Sequence, residues 1–190
     1  LGTNAETAAL FNPMTGECGE AKVRQVDGKT QVYLQLKSGE SIILQTYRQP
    51  LQASKPWKYV KEHPFSLRLD HGWKLHFAES TPEIQGTFDI DRPCSWTNID
   101  HPAAQTNMGT GVYSLDIELP ALKADNWILD LGDVRESARV RINGQEAGCV
   151  WAVPYQLKVG QFLKPGKNHI EIEVTNLPAN RISELDRQGV

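Results

Sequence analysis

The chain has 190 residues, 39% of them hydrophobic, and a net charge of −3 with both signs interspersed. That is enough apolar material for a core, yet no apolar run approaches the roughly 20 residues of a membrane-spanning helix, and no basic footprint offers itself to nucleic acid. Neither nucleic acid nor membrane is an expected partner.

Three cysteines, Cys18, Cys94 and Cys149, stand far apart and form no CxxC pair, so nothing points to zinc ligation. They leave two options, one disulfide with a spare thiol or three buried free thiols. The chain opens Leu1-Gly2, with no charged segment leading into an apolar one, which reads as the cut or processed start of a piece of something longer.

In chain order, residues 1–14 read as irregular. Short β-prone runs follow at 21–26, 31–36 and 41–47, punctuated by Asp27-Gly28 and Ser38-Gly39, which is the punctuation of hairpins. Three strands alone bury little, so this unit is expected to lean on another sheet or on residues outside the chain. Residues 49–61 carry two prolines and no period. They read as a linker, with Trp57 and Tyr59 docking it onto a neighbour. Residues 1–60 are thus a small β-unit and linker.

Residues 61–190 alternate more clearly. Phe65, Leu67 and Leu69 form one set, then Trp73, Leu75 and Phe77, then Ile84, Phe88 and Ile90. A polar loop from 91 to 111 precedes Tyr113, Leu115, Ile117 and Leu119, closed by Pro120. Three further runs follow: Trp127, Leu129 and Leu131; Ala138, Val140 and Ile142; Ile170, Ile172 and Val174. Successive strand side chains point to opposite sides, so each run has one buried and one wet face. Asn143-Gly144 supplies the positive φ that a two-residue hairpin needs, and Pro165-Gly166 turns the chain into its last strand. About eight strands at this spacing predict an all-β jelly-roll β-sandwich. Only brief turns of helix are expected, near 122–126 and 182–187.

Glycoside hydrolysis generally requires two carboxyl groups about 5 to 9.5 Å apart, one of them buried so that its pKa rises. Asp89 with Asp91, and Glu171 with Glu173, share faces two residues apart. Alternation puts the glutamates on the wet side, so no catalytic pair is assigned. The histidines 63, 71, 76, 101 and 169 lack metal-ligand spacing, and no GxSxG elbow accompanies them. No cofactor and no metal site is assigned. Asp130, Asp133, Asp89 and Asp91 do offer hard oxygen ligands that could hold a structural calcium ion.

Sugar recognition needs an aromatic face against the ring and polar groups for the hydroxyls. Trp73 and Trp127 alternate in phase with core residues and read as core. Trp96 and Trp151 lie at or beyond strand ends and are the candidates for stacking, with core or interface packing as the alternative. His101 shares the 91–111 loop with Trp96, Asn98 and Asp100, the kind of place where a ligand site is built. Asn176, Asn180 and Arg181 could bond sugar hydroxyls, or cap loops and pair with a neighbouring domain.

The wording from Leu129-Asp130-Leu131-Gly132 through Val140-Arg141-Ile142-Asn143-Gly144, Gly148, Trp151, Pro154, Leu163-Lys164-Pro165-Gly166-Lys167-Asn168 and Val174-Thr175-Asn176 resembles the galactose-binding-like sugar-binding jelly roll of family 2 glycoside hydrolases. The likeness is strongest to the C-terminal module of family 106 α-L-rhamnosidases, where a similar strand ending in Thr-Asn is followed by an Asn-Arg pair, here Asn180-Arg181. Gly72 to Phe77, Ser95-Trp96-Thr97 and Gly109 to Tyr113 resemble that module's earlier strands, and residues 32–45 the short β-unit before it. The resemblance implies a non-catalytic accessory region of a glycoside hydrolase. Its partners would be carbohydrate and an intramolecular catalytic domain, and its location secreted or periplasmic. The family's catalytic residues sit in a preceding barrel that nothing here matches, so none carries over. A stand-alone carbohydrate-binding protein and a purely structural interaction domain are the alternatives.

Overall fold

A computed structural model describes residues 1–190 apart from 53, 62, 64 and 123. The chain forms two compact units, Leu1–Pro64 and Phe65–Val190.

In the first unit, strands β1 (Thr7–Phe11), β2 (Cys18–Glu20) and β5 (Ile43–Tyr47) make an antiparallel sheet with β1 in the middle. β3 (Val23–Val26) and β4 (Lys29–Val32) make a separate hairpin. The expectation that residues 1–14 are irregular is corrected here. β1 pairs on both edges, so Ala8, Ala9 and Leu10 are all buried and no alternation marks the strand. Ala8, Leu10 and Ala21 form the core, with Val23, Val32, Ile42, Leu44 and Trp57 packed against it. The Asp27-Gly28 turn has φ of 50° and 72°, the geometry of a two-residue hairpin. β4 ends at Val32, with one further ladder bond made by Tyr33, so the run expected to reach residue 36 is shorter. The linker is held by Trp57 N–H, which donates to the Glu20 carbonyl at 2.8 Å, and by an amide mimic of strand pairing. Gln35 Nε2 donates to Val60 O at 2.9 Å while Val60 N–H donates to Gln35 Oε1 at 2.7 Å.

The second unit is built on a six-stranded antiparallel sheet in the order β11-β10-β13-β8-β6-β7. These are β6 (Trp73–Thr81), β7 (Thr87–Ile90), β8 (Met108–Leu119), β10 (Ser137–Ile142), β11 (Gln145–Val150) and β13 (Gly166–Thr175). β9 (Ile128–Asp130) and β12 (Gln156–Lys158) pair in a ribbon whose Leu129 and Leu157 lie opposite one another and pack on the core. Eight strands thus surround one core in a β-sandwich. Its inner face carries Trp73, Leu75, Phe77, Tyr113, Leu115, Ala138, Val140, Ile142, Ile170 and Ile172, all buried. The alternating residues of the same strands, among them Lys74, His76, Asp116 and Arg139, lie exposed on the outer face.

Two details show why the sequence is specific locally. A Cβ at Gly111 would stand 2.8 Å from Trp96 Cζ2 and 3.1 Å from Leu75 Cδ1, so only glycine lets the indole lie on β8. Asn168, 3% exposed, spends its amide on the turn before β13. Nδ2 donates to the carbonyls of Lys164 and Gly166, and Oδ1 accepts from Lys164 N–H and Asn143 Nδ2. A buried amide with every group bonded avoids the desolvation cost of an orphan.

Three further expectations are corrected. Residues 65–69 are not a strand. Leu69 packs on the core and its carbonyl accepts the Trp73 indole N–H at 2.7 Å, while Leu67 is exposed. The expected turn of helix at 122–126 includes residue 123, outside the described residues, and the others are not helical. The second one is a ten-residue helix, α2 (Ala179–Gln188), preceded by a short α1 (Pro102–Gln105) inside the 91–111 loop. Lastly, the three cysteines are free, but Cys18 and Cys149 are exposed and Cys94 partly so. Cys18 alternates with buried Gly19 and Cys149 with buried Val150, which places both thiols outward.

Candidate functional site

The six residues expected at a sugar site fall into two groups. Trp96, in a single 3-10 turn, is 6% exposed. Its indole N–H donates to Tyr113 Oη at 2.8 Å, and its ring meets Phe77 edge-on with centroids 5.0 Å apart. No face is left for a sugar, so Trp96 is corrected from stacking candidate to core residue. Tyr113 Oη in turn donates to the Cys94 carbonyl at 3.2 Å. Burial pushes the Tyr113 hydroxyl up to about 12, against a smaller opposing effect of the Trp96 hydrogen bond.

His101 precedes α1 and packs edge-on to Phe88, centroids 5.6 Å apart, with its Nδ1 buried. That Nδ1 has no hydrogen-bond partner among the described residues, so the ring is held by packing on Phe88 of β7 alone. Asn176 is committed to the backbone. Oδ1 accepts from Gly109 N–H and Nδ2 donates to the Asn107 carbonyl, both at 3.0 Å, which clips the end of β13 to the start of β8.

Trp151, Asn180 and Arg181 remain available. Trp151 follows β11 and is 64% exposed. The register Ala138↔Val150 and Ala138↔Val174 sets Trp151 level with Thr175, two strands away, or roughly 10 Å at the usual strand spacing. That same end of the sheet carries Asn176 and leads into α2, whose first turn holds Asn180 and Arg181, both partly exposed. Neither makes a side-chain hydrogen bond or ion pair among the described residues. Val153, Leu177 and Ile182 are also exposed at 55%, 56% and 59%. These three escaped the sequence reading because they fall outside any strand alternation, beside Pro154, Pro178 and the helix.

Among the described residues no Asp or Glu is buried. Glu173 stands 3.6 Å from both Arg139 and Arg141 on the outer face, and Asp116 meets His169 Nδ1 at 2.7 Å. Of the carboxylates considered for calcium, Asp130 accepts from Gly132 N–H and Gln156 Nε2. Asp133 is engaged by Arg135, whose hydrogen bond holds its carboxyl below the usual range. No group of three or more His, Cys, Asp or Glu among the described residues is placed to hold a metal ion.

The fold defines a β-sandwich module on which Trp151, Val153, Leu177 and Ile182 stand exposed. No protein-family model matches the chain. A Formosa agariphila protein named "Putative beta-glucuronidase" is 32% identical over 126 residues, covering 65% of this chain and 11% of its own length. Rhamnosidase from Novosphingobium sp. PP1Y superposes on 99% of this chain with a TM-score of 0.79 and 25% identity, through 18% of its own length. An uncultured Clostridium sp. β-glucuronidase, at 18% identity and TM-score 0.51, covers 63% of this chain and 24% of its own, and shares the fold alone. The chain thus spans less than a quarter of each of these three proteins. It is a glycoside-hydrolase-related module, similar along its whole length to one region of a rhamnosidase.

Proposed function

We propose that this chain is a non-catalytic accessory portion of a larger glycoside hydrolase of the α-L-rhamnosidase kind, supporting the catalytic portion through the end of the sandwich around Trp151. The superposition of both units on less than a fifth of a rhamnosidase carries the reading. The absence of any buried carboxylate among the described residues supports the non-catalytic role, because a general acid needs a raised pKa. Large apolar side chains left exposed, here Trp151, Val153, Leu177 and Ile182, mark an interaction surface where they are contiguous. No helix of the described residues is long and apolar enough to cross a membrane. The proposal places the whole enzyme outside the cytoplasm, acting on polysaccharide. The test is hydrolysis of an aryl α-L-rhamnoside by the purified chain. No turnover is expected, and a rate abolished by one carboxylate substitution, such as Glu171→Gln, would overturn it.

The exposure of Trp151 favours a second reading, in which its ring stacks on a sugar while Asn180 and Arg181 bond hydroxyls. Titration of tryptophan fluorescence with rhamnose-containing oligosaccharides separates the two. Saturable binding lost in Trp151→Ala supports the sugar platform, and no response to any glycan leaves the supporting role.

A further inference from the structure

A second surface, in the first unit, has chemistry that neither reading uses. The β3–β4 hairpin pairs Arg24 with Gln31 and Val26 with Lys29, and Tyr33 N–H donates to the Lys22 carbonyl at 3.0 Å, extending the ladder by one step. Residues two apart on a strand share a face, so Lys22, Arg24, Lys29, Gln31 and Tyr33 stand together, opposite the face on which Val23 and Val32 pack on the core. Lys22, Arg24, Gln31 and Tyr33, with Val23 and Val32 from between them, line an open hollow of about 330 Å³, at the small end of the range for ligand sites.

The hollow has cationic charge and an aromatic side chain but no carboxylate among its described lining residues. Lys22, Arg24 and Lys29 make no ion pair among the described residues. Arg24 spends Nε on Gln31 Oε1 at 2.8 Å, which orients the guanidinium and leaves its terminal amino groups open. Lys22 Nζ lies 5.1 Å from the centroid of the Tyr59 ring. Tyr33 is 52% exposed, yet it is braced by Tyr59: Tyr59 Oη donates to the Tyr33 carbonyl at 3.1 Å and accepts from Lys22 N–H at 2.8 Å, with the two rings 5.0 Å apart. A held aromatic ring loses little entropy on binding. Two cationic side chains rooted about 7 Å apart along the backbone, neither in an ion pair among the described residues, suit an anionic substituent on a pyranose ring.

We propose that this hairpin face binds an anionic saccharide, a pyranose carrying a carboxylate or a sulfate. Arg24 and Lys22 hold the anion, Gln31 bonds a hydroxyl, and Tyr33 lies against the ring. The saccharide class rests on the glycoside hydrolase reading above, whereas the anionic preference and the location rest on the hairpin itself.

The test is calorimetric titration of the whole chain with three short oligosaccharides, one of uronates, one sulfated and one neutral, and with polyphosphate as a polyanion that is not a sugar. One anionic oligosaccharide is expected to bind at least tenfold tighter than the neutral one, and which of the two binds identifies the substituent. Arg24→Ala and Tyr33→Ala should each weaken it about tenfold with an unchanged melting curve, both being exposed, whereas Trp151→Ala should leave it intact. Arg24→Lys should recover part of the affinity. Equal binding of polyphosphate and the anionic sugar, or no anionic preference, overturns the proposal. Binding lost in Trp151→Ala but kept in Arg24→Ala overturns it while preserving carbohydrate recognition elsewhere. No binding of any oligosaccharide overturns it and leaves the supporting role of the module standing.

Discussion

Trp96 and Tyr113 are joined inside the core by a single hydrogen bond, indole N–H to phenol oxygen at 2.8 Å. The bond ties the 91–111 loop to the central strand β8 and gives each buried aromatic a partner for its polar atom. Tyr113→Phe strips the indole of its acceptor and orphans the Cys94 carbonyl. It should cost about 1–3 kcal/mol. Trp96→Ala should cost about 3–5 kcal/mol through the cavity it leaves. Urea denaturation of both variants measures these losses. A Trp96→Ala protein as stable as the parent would refute the core assignment.

The same tyrosine predicts an alkaline limit. Its folded pKa of about 12 lies above the unfolded value near 10, so the folded state holds the proton through that window. The stabilisation is complete below about pH 10 and is lost as pH rises through about 12, an effect on the order of 2–3 kcal/mol. Melting temperatures measured across pH 9–12 should fall for the parent, and more shallowly for Tyr113→Phe. Equal slopes would show that this hydroxyl is not buried.

Asn176→Ala removes the clip between β13 and β8, leaving Gly109 N–H and the Asn107 carbonyl without their side-chain partner. A loss of about 1–3 kcal/mol is expected, with no change in the response to any saccharide. Equilibrium unfolding checks the first part and the calorimetric titration the second. Lost sugar affinity at unchanged stability would return Asn176 to the binding site.

Trp151→Ala should change stability by no more than about 0.5 kcal/mol, as surface substitutions generally do. It should also remove the most acrylamide-accessible component of the tryptophan fluorescence. Unchanged quenching in that variant would mean the ring is covered.

The strands of the sandwich were legible because their alternation is strict. Trp73, Leu75 and Phe77 read as a one-sided strand and are one, as do Ala138, Val140 and Ile142. β1 was illegible for the opposite reason: as a central strand it buries four consecutive residues, Thr7 to Leu10, and shows no period. Phe65 and Leu67 misled because alternation is necessary for a half-buried strand but not sufficient. A strand also needs a neighbour with free backbone groups, and no strand pairs with residues 65–69.

Within the candidate site, residue type alone could not separate Trp96 from Trp151. Both lie at or beyond the ends of expected strands. The difference is that Gly111, fifteen residues beyond Trp96, leaves a gap on β8 that the indole fills, whereas nothing comparable receives Trp151.

By itself the sequence determined the β-sandwich, the Asn143-Gly144 and Asp27-Gly28 turns and the likeness to a glycoside hydrolase module, because backbone conformation and strand period are local properties written in consecutive residues. Only the tertiary structure decided which tryptophan is core and which is surface. It also decided that Asn176 serves the backbone, and that Lys22, Arg24, Gln31 and Tyr33 share one face. Those outcomes depend on which distant strand lies opposite, and burial and hydrogen-bond partners follow from that pairing rather than from the residue alone.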